Sequence, residues 1–227
     1  MCGRIALYSE PDRLARILDA QLSLDLEHWH RSWNVGPTRT ILGACDQPDG
    51  VRILAPYRWG LVPMWAKDPA ALKSTFNARA ETVATKPTFR SAFKRSRILV
   101  PVDAFYEWST VGKVKTPNVF LRCDGEPIVF AGLAERWKGP DDSVMHSATI
   151  ITTGAGPDMD GIHDRMPVVL ERESWDHWLD RDVEDRDELE PLLHPAPAGT
   201  LVHHQVDRSV GNVRNDGPEL LDEVTLL

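Results

Sequence analysis

Two hydrophobic periods divide the chain, and the shorter one describes more of it. Residues 4–8 alternate apolar and polar positions well enough for a strand, and the same period-two reading predicts strands over Val51–Trp59, Ile98–Val102, Phe105–Trp108, Val119–Arg122, Ile128–Leu133, Ala148–Thr153 and Leu201–Val206. Helical spacing is confined to short pieces. Pro11–Ala20 places Leu14, Ile17 and Leu18 on one face, and Pro157–Ile162 has room for one turn. Glu171–Leu179 gathers Trp175, Trp178 and Leu179 into a stripe, with an acidic second helix running on toward Leu193. Gly36 and Pro37 interrupt any element across Trp33–Thr38, Gly60 closes the strand that ends at Trp59, and Pro63–Asn77 has no period and reads as a surface loop. Such loops are where functional groups concentrate. With no repeat, low-complexity tract or linker in view, the pattern predicts a single α+β domain over 1–227, with a mixed or antiparallel curved β core flanked by short helices.

Composition leaves that picture intact. At 227 residues, 42% hydrophobic and 26% charged, the chain can bury a full core and reads as an ordinary soluble globular protein. No apolar run approaches the ~18–20 residues of a membrane span, and the start, where Arg4 and Glu10 bracket a short apolar stretch, is not that of a signal peptide. A cytoplasmic location, beside the nucleoid when on DNA, is the expectation. Cys2, Cys45 and Cys123 make neither a disulfide framework nor a metal-binding spacing, which fits a reducing compartment. His28, His30, His203 and His204 lack convincing partners, so no metal site is predicted, with the His203-His204 pair left open, and no cofactor is expected. A monomer is expected, because no coiled-coil repeat is visible.

Charge changes the picture more. The net charge of −8 speaks against a nucleic-acid partner until its distribution is followed. Arg58 to Asp103 carries nine Lys/Arg against three Asp/Glu, whereas Glu171 to Glu190 carries ten acids against three bases. A local basic face binds phosphates whatever the total.

The candidate chemistry begins at Met1-Cys2-Gly3-Arg4. Once Met1 is removed, which the small side chain at position 2 permits, Cys2 carries an α-amine and a thiol two carbons apart. An α-amine titrates near ~7.7–8.0 and a free thiol near ~8.5, so both have usable nucleophilic fractions at neutral pH. Attack of the amine on an aldehyde gives a Schiff base, and closure of the thiol onto the imine carbon gives a thiazolidine. The same pair also suits an N-terminal-nucleophile hydrolase, with the thiol attacking an amide and the amine serving as base. A third reading is that Cys2 merely follows the start codon.

Separated polar motifs decide between them: Asn34-Val35-Gly36-Pro37-Thr38, Trp59-Gly60-Leu61-Val62-Pro63, Asn77-Ala78-Arg79-Ala80-Glu81-Thr82, Phe105-Tyr106-Glu107-Trp108 and His163-Asp164-Arg165-Met166-Pro167. With Cys2-Gly3-Arg4, and in this order and spacing, the set resembles the SOS response-associated peptidase (SRAP) family, the abasic-site processing proteins. The resemblance is carried by residues 2–170, and over the acidic part, 171–227, it rests mainly on pattern. It implies a single α+β domain that binds single-stranded DNA and cross-links covalently to abasic sites, with Cys2 supplying both atoms of the thiazolidine and Asn77, Glu107 and His163 at the other active-site positions. AP-lyase cleavage is an expected side activity. Two departures, Gly36 where alanine is commoner and Trp33 where tyrosine is, touch context preference rather than chemistry.

Residue chemistry gives these positions roles. Opening the closed hemiacetal of an abasic sugar needs a proton on the ring oxygen, and His163, near ~6.5 when unperturbed, can give and take one. Glu107 sits among aromatics, where desolvation raises a carboxyl and suits proton shuttling. Asn77 cannot titrate and is read as positioning the amine or a sugar hydroxyl. For DNA, Arg4, Arg79 and Arg165 are the bidentate phosphate candidates. Arg90 and Arg97, with Lys86, Lys94 and Arg95, either extend the positive face or form a solvated helix surface. Trp59, Pro63, Met64 and Trp65 are candidates for stacking on or wedging bases, with core packing the alternative for Trp59, and Asn34 is a candidate for the lesion or a flanking phosphate. The acidic helices after Glu171 are expected on the opposite face. Two other functions stay in play: a thiol peptidase with Cys2 as nucleophile and His163 as base, and a non-enzymatic single-strand binder that needs the basic face but not Cys2.

Overall fold

Short β-patterned segments need many partners to bury both faces, and the chain supplies them in two sheets. The computed structural model describes residues 2–72 and 74–224. In chain order the elements are β1 (Ile5–Leu7), α1 (Pro11–Leu18), β2 (Gln21–Leu22), β3 (Ser32–Val35), β4 (Thr40–Asp46), β5 (Arg52–Trp59), β6 (Asn77–Arg79), α2 (Ala80–Val83), α3 (Arg90–Arg95), β7 (Arg97–Val102), β8 (Ala104–Val111), β9 (Val114–Arg122), β10 (Ile128–Lys138), β11 (Val144–Gly154), β12 (Arg165–Pro167), α4 (Trp175–Leu179), α5 (Arg186–Leu189) and β13 (Leu201–Gln205). One sheet runs β13-β9-β8-β1-β3, all antiparallel. The other runs β12-β11-β10-β7-β4-β5-β2, and a parallel pairing of β11 with β5 closes it on itself. The fold is α+β, with a curved mixed core flanked by short helices.

Local chemistry explains the elements. In α1, Pro11 stands in the first turn, where its missing N–H is not needed, and Asp12 and Arg16 complement the helix dipole at the two ends. The helix stops at Leu18 because Asp19 turns left-handed, at φ 52°, letting the amides of Asp19 and Ala20 take the carbonyls of Arg16 and Ala15. β4 has no period-two signature in the sequence. It is apolar from Ile41 to Ala44 because both its faces are covered, and Gly43 interrupts it because a Cβ there would come within 2.8 Å of Ile98 Cδ1 and 3.1 Å of the Tyr57 ring. β8 and β9 are longer than the sequence pattern predicts. They continue to a two-residue turn in which Gly112 takes φ 61°, the geometry that suits the twist of a hairpin.

The sheets meet through Phe105 and Phe120, stacked at 4.8 Å, with Phe130 edge-on to Phe105 at 5.7 Å. Burying a ring of this kind contributes roughly 2–3 kcal/mol. On the outer face of the first sheet, Tyr106 and Val119 are covered by Val206, Val210 and Leu220, so the last part of the chain straps across it. α4 packs on β7, where Trp178 Nε1 donates to the Ile98 carbonyl at 3.0 Å. Ile98, Gly132, Ile150 and Asn77 form one row across β7, β10, β11 and β6, so α4 lies three strands, roughly 14 Å, from Asn77. Among the described residues no helix is long and apolar enough to cross a membrane.

Candidate active site

Strand β11 organises the site. Its C-terminal half has β6 on one edge, Asn77 opposite Ile150, and β12 on the other, Arg165 opposite Gly154. Asn77 and the His163–Arg165 segment are thereby held on either side of one strand. The start of the chain is drawn in between: the Arg4 carbonyl accepts from the Tyr106 amide at 2.9 Å, and Asn77 Nδ2 donates to the Cys2 carbonyl at 2.6 Å. Cys2 is fully buried, as part of the main core. Glu107 follows Tyr106 in β8 and is buried too. Met1, on whose removal the Cys2 chemistry depends, lies outside the described residues.

Electrostatics tie Cys2, Glu107 and His163 together. Burial, and then the Glu107 charge, push the Cys2 thiol up, so at neutral pH it carries its proton. Burial likewise raises the Glu107 carboxyl, and the charge of His163 works against that rise. Asn77 Oδ1 is buried with no hydrogen-bond partner among the described residues, an acceptor free for an incoming donor. His163 Nδ1 accepts from the Arg165 amide at 2.9 Å and lies 2.9 Å from Asp164 Oδ1. In the neutral ring the amide takes the Nδ1 lone pair and leaves the hydrogen on Nε2; a protonated ring can instead donate from Nδ1 to Asp164.

Several residues read as DNA contacts have other work. Trp59 is wholly buried, its Nε1 donating to the Phe76 carbonyl at 2.9 Å and its ring edge-on to Phe76, which leaves no face for a base. Arg97 is buried and spends its guanidinium on the carbonyls of Trp178, Phe93, Lys94, Asp180 and Val183, fastening α4 and its following loop to the barrel. Pro63 is buried. Asn34 is buried, with Oδ1 accepting from Arg4 Nη1 at 2.7 Å and Nδ2 shared among the carbonyls of Val210, Asn212 and Asn215. It locks the C-terminal strap instead of touching a lesion. Arg4 shares that duty through Val210, its guanidinium 5.9 Å from the centre of the Trp108 ring.

Met64 and Trp65 remain candidates, at 67% and 60% exposed, as do the exposed Arg79 and Arg90. Arg165 is bound by the Glu81 carboxylate and by Thr152, so a phosphate reaches it only in competition with Glu81. His204 Nε2 lies 2.7 Å from the Leu221 carbonyl and the His203 ring is tilted on Phe120. Among the described residues no three His, Cys, Asp or Glu side chains cluster as a metal site.

Two expected outcomes follow from the strap. Asn34→Ala leaves three carbonyls and the Arg4 guanidinium short of a partner, and should cost about 2–3 kcal/mol in urea unfolding while opening residues 208–216 to proteolysis; an unchanged midpoint would remove Asn34 from this role. Gly36→Ala should do the reverse, adding ~0.4–1 kcal/mol in the same assay. Its Cβ would meet Val213 Cγ1 at an ordinary 3.4 Å, and the extended conformation imposed on it by Pro37 suits alanine.

The sequence reading missed part of the site. A groove of about 470 Å³ is lined by Glu107, Trp108, Thr110, Lys115, His163 and Gly211. Lys115 and Gly211 stand in no motif; what places them is the length of the β8–β9 hairpin and the path of the strap. A second cavity of about 340 Å³, with Cys45, Tyr57 and His146 in its wall, lies toward the other end of β11.

Known proteins resemble this chain in sequence and in fold. The sequence model of the SOS response associated peptidase (SRAP) family matches residues 1–213. The chain is 38% identical over 223 residues to the abasic site processing protein YoqW of Bacillus subtilis, covering 98% of this chain and 99% of that one. It is 37% identical over 223 residues to YoaM of the same organism, also an abasic site processing protein, with 98% of each covered. A crystal structure of a Bacteroides thetaiotaomicron protein superposes with a TM-score of 0.89 at 22% identity, over 99% of this chain and all of the other, which shows the shared fold.

Proposed function

Because the chain belongs to the SRAP family, we propose that it processes abasic sites in single-stranded DNA, capturing the lesion's aldehyde covalently through Cys2. The observation that carries this is the confinement of Cys2 beside buried Glu107, with its carbonyl held by Asn77. Two nucleophiles two carbons apart, fixed by the backbone, meet one carbon with no translational entropy left to lose in the second step.

The steps balance on groups of the chain itself. A proton from His163 to the ring oxygen breaks its bond to C1′ while the C1′ hydroxyl gives up its proton to Glu107, which frees the aldehyde. The Cys2 amine adds to C1′, and the carbinolamine loses water with Glu107 passing protons in and out. The thiol then adds to the imine carbon, its hydrogen going to the nitrogen, so the adduct weighs protein plus DNA minus one water. Asn77 Oδ1 accepts from the sugar hydroxyl released on ring opening or from the amine. The Schiff base also acidifies C2′, so β-elimination competes until the thiazolidine closes. Met64, Trp65, Arg79, Arg90 and Arg165 are the proposed contacts to the strand outside the reacting centre. A thiol peptidase would want Cys2 as thiolate, and burial and Glu107 push the other way.

The test is a denaturing gel of the purified protein mixed with three oligonucleotides: a single strand with one abasic site, the undamaged strand, and the abasic strand in duplex. A denaturant-resistant band with the first, absent with the second and weak with the third, supports the reading. No such band with a protein shown to lack Met1 sinks it.

A further inference from the structure

Two grooves meet at His163, and their charges differ. The first, along β8, is lined by Glu107, Trp108, Thr110, Lys115, His163 and Gly211. The second, of about 680 Å³, follows the turn from Ala155 to Asp164, and its charged groups are Asp160 and Asp164, both exposed. A strand whose lesion lies beside His163 can leave along either of them. Phosphates crossing the second would face two solvent-exposed carboxylates, a like-charge approach. In the first the carboxylate is Glu107, whose buried carboxyl is raised toward its neutral form, and the cation is Lys115.

Lys115 is well placed to act. It pairs with Thr110 across the hairpin, three residues from Glu107 along β8 and so roughly 10 Å from it. The register between β8 and β9 runs unbroken from Phe105 opposite Phe120 to Val111 opposite Val114, so the hairpin carries both residues on one stiff arm. Lys115 is exposed, and no carboxylate among the described residues pairs with it. Meanwhile Asn34 and Arg97 are spent on internal bonds and Arg165 is held by Glu81, while Lys115 is the lysine or arginine that lines this groove.

We propose that Lys115 forms a phosphate subsite for the nucleotide next to the lesion, and that the bound strand leaves along the β8–β9 hairpin and not across Asp160 and Asp164. This rests on the single-strand-binding part of the function proposed above. An ammonium on a flexible stem suits a passing phosphodiester, which needs charge more than a fixed fork.

The test separates the subsite from the cross-link. Fluorescence anisotropy with an oligonucleotide carrying a tetrahydrofuran abasic analogue, which has no aldehyde, measures binding alone at several salt concentrations. Lys115→Gln should weaken binding roughly fivefold at low salt and make the log–log salt slope shallower by about 0.7, the value of one single-strand phosphate contact, while Lys115→Arg restores both. Asp160→Asn should leave the slope unchanged. An unaltered slope and affinity in Lys115→Gln, or a change appearing with Asp160→Asn in its place, overturns the proposal. Failure of the wild-type protein to cross-link a true abasic strand while still binding the analogue would defeat the covalent reading and leave the subsite to stand or fall on these slopes.

Discussion

Cys2→Ser should yield a protein that still condenses with an abasic strand but releases it on denaturation. Serine is small enough for Met1 removal and keeps the α-amine, so the Schiff base forms. Its hydroxyl is a far weaker nucleophile than a thiol, and the ring that would protect the imine does not close. The denaturant-resistant yield should fall about a hundredfold or more, a loss set by that weaker nucleophile. Borohydride added before denaturation should recover much of it, because reduction fixes the imine. Strand cleavage should rise, since the imine persists long enough for β-elimination. Cys2→Ala is expected to match it, as both lack the thiol. Equal stable yield in Cys2→Ser and wild type would show that the amine alone makes the lasting bond.

Glu107→Gln should separate activity from stability. The amide keeps the shape and cannot carry protons, so the rate of cross-linking should fall by roughly 10²–10⁴-fold, the usual contribution of a positioned acid–base group. Stability should move the other way. Burial raises the Glu107 carboxyl, so the folded protein holds this proton more tightly than the unfolded chain does. The stability it contributes is complete below the unfolded value, near ~4.3, and is lost as pH rises through the higher folded value. At pH 7 the glutamine variant should therefore unfold at a higher temperature than wild type, with the difference closing toward pH 4. A variant that is less stable at pH 7 would mean that the ionised carboxylate is held favourably in the fold, and its assigned proton-transfer role would need revision.

How far the sequence spoke for itself varies by residue. α1 was legible because proline, the apolar face and the dipole-matched charges agree. β4 was not, because a strand covered on both faces loses its alternation and Gly43 looks like a breaker until Ile98 and Tyr57 are seen against it. The grouping of Cys2, Asn77, Glu107 and His163 came from motif order; β11 explains how Asn77 and His163 meet, and the pairing of the chain's start with β8 explains Cys2 and Glu107. Arg97 and Asn34 were read as DNA contacts, and Trp59 was left between base stacking and core packing, for one reason. Aromatic, cationic and amide side chains suit DNA and buried hydrogen-bond networks equally, and burial, which decides between them, is a property of the fold. The acidic helices after Glu171 were expected on the face opposite the DNA. α4 does lie three strands from Asn77, but the strap beyond β13 returns to the groove at Gly211, pulled there by Asn34 and Arg4. Lys115 had no signal at all, since a lone lysine near a hairpin tip is usually only solvated.

Both nucleophiles of Cys2 should end on one carbon, and intact mass distinguishes that product from a singly bonded adduct. The wild-type protein is cross-linked to a single-stranded abasic oligonucleotide, treated with borodeuteride, denatured and weighed. The expected mass is that of protein lacking Met1 plus oligonucleotide minus one water, with no deuterium gained, because a thiazolidine has no imine to reduce. An adduct that takes up hydrogen and deuterium would be a Schiff base, and would contradict closure of the ring by the Cys2 thiol.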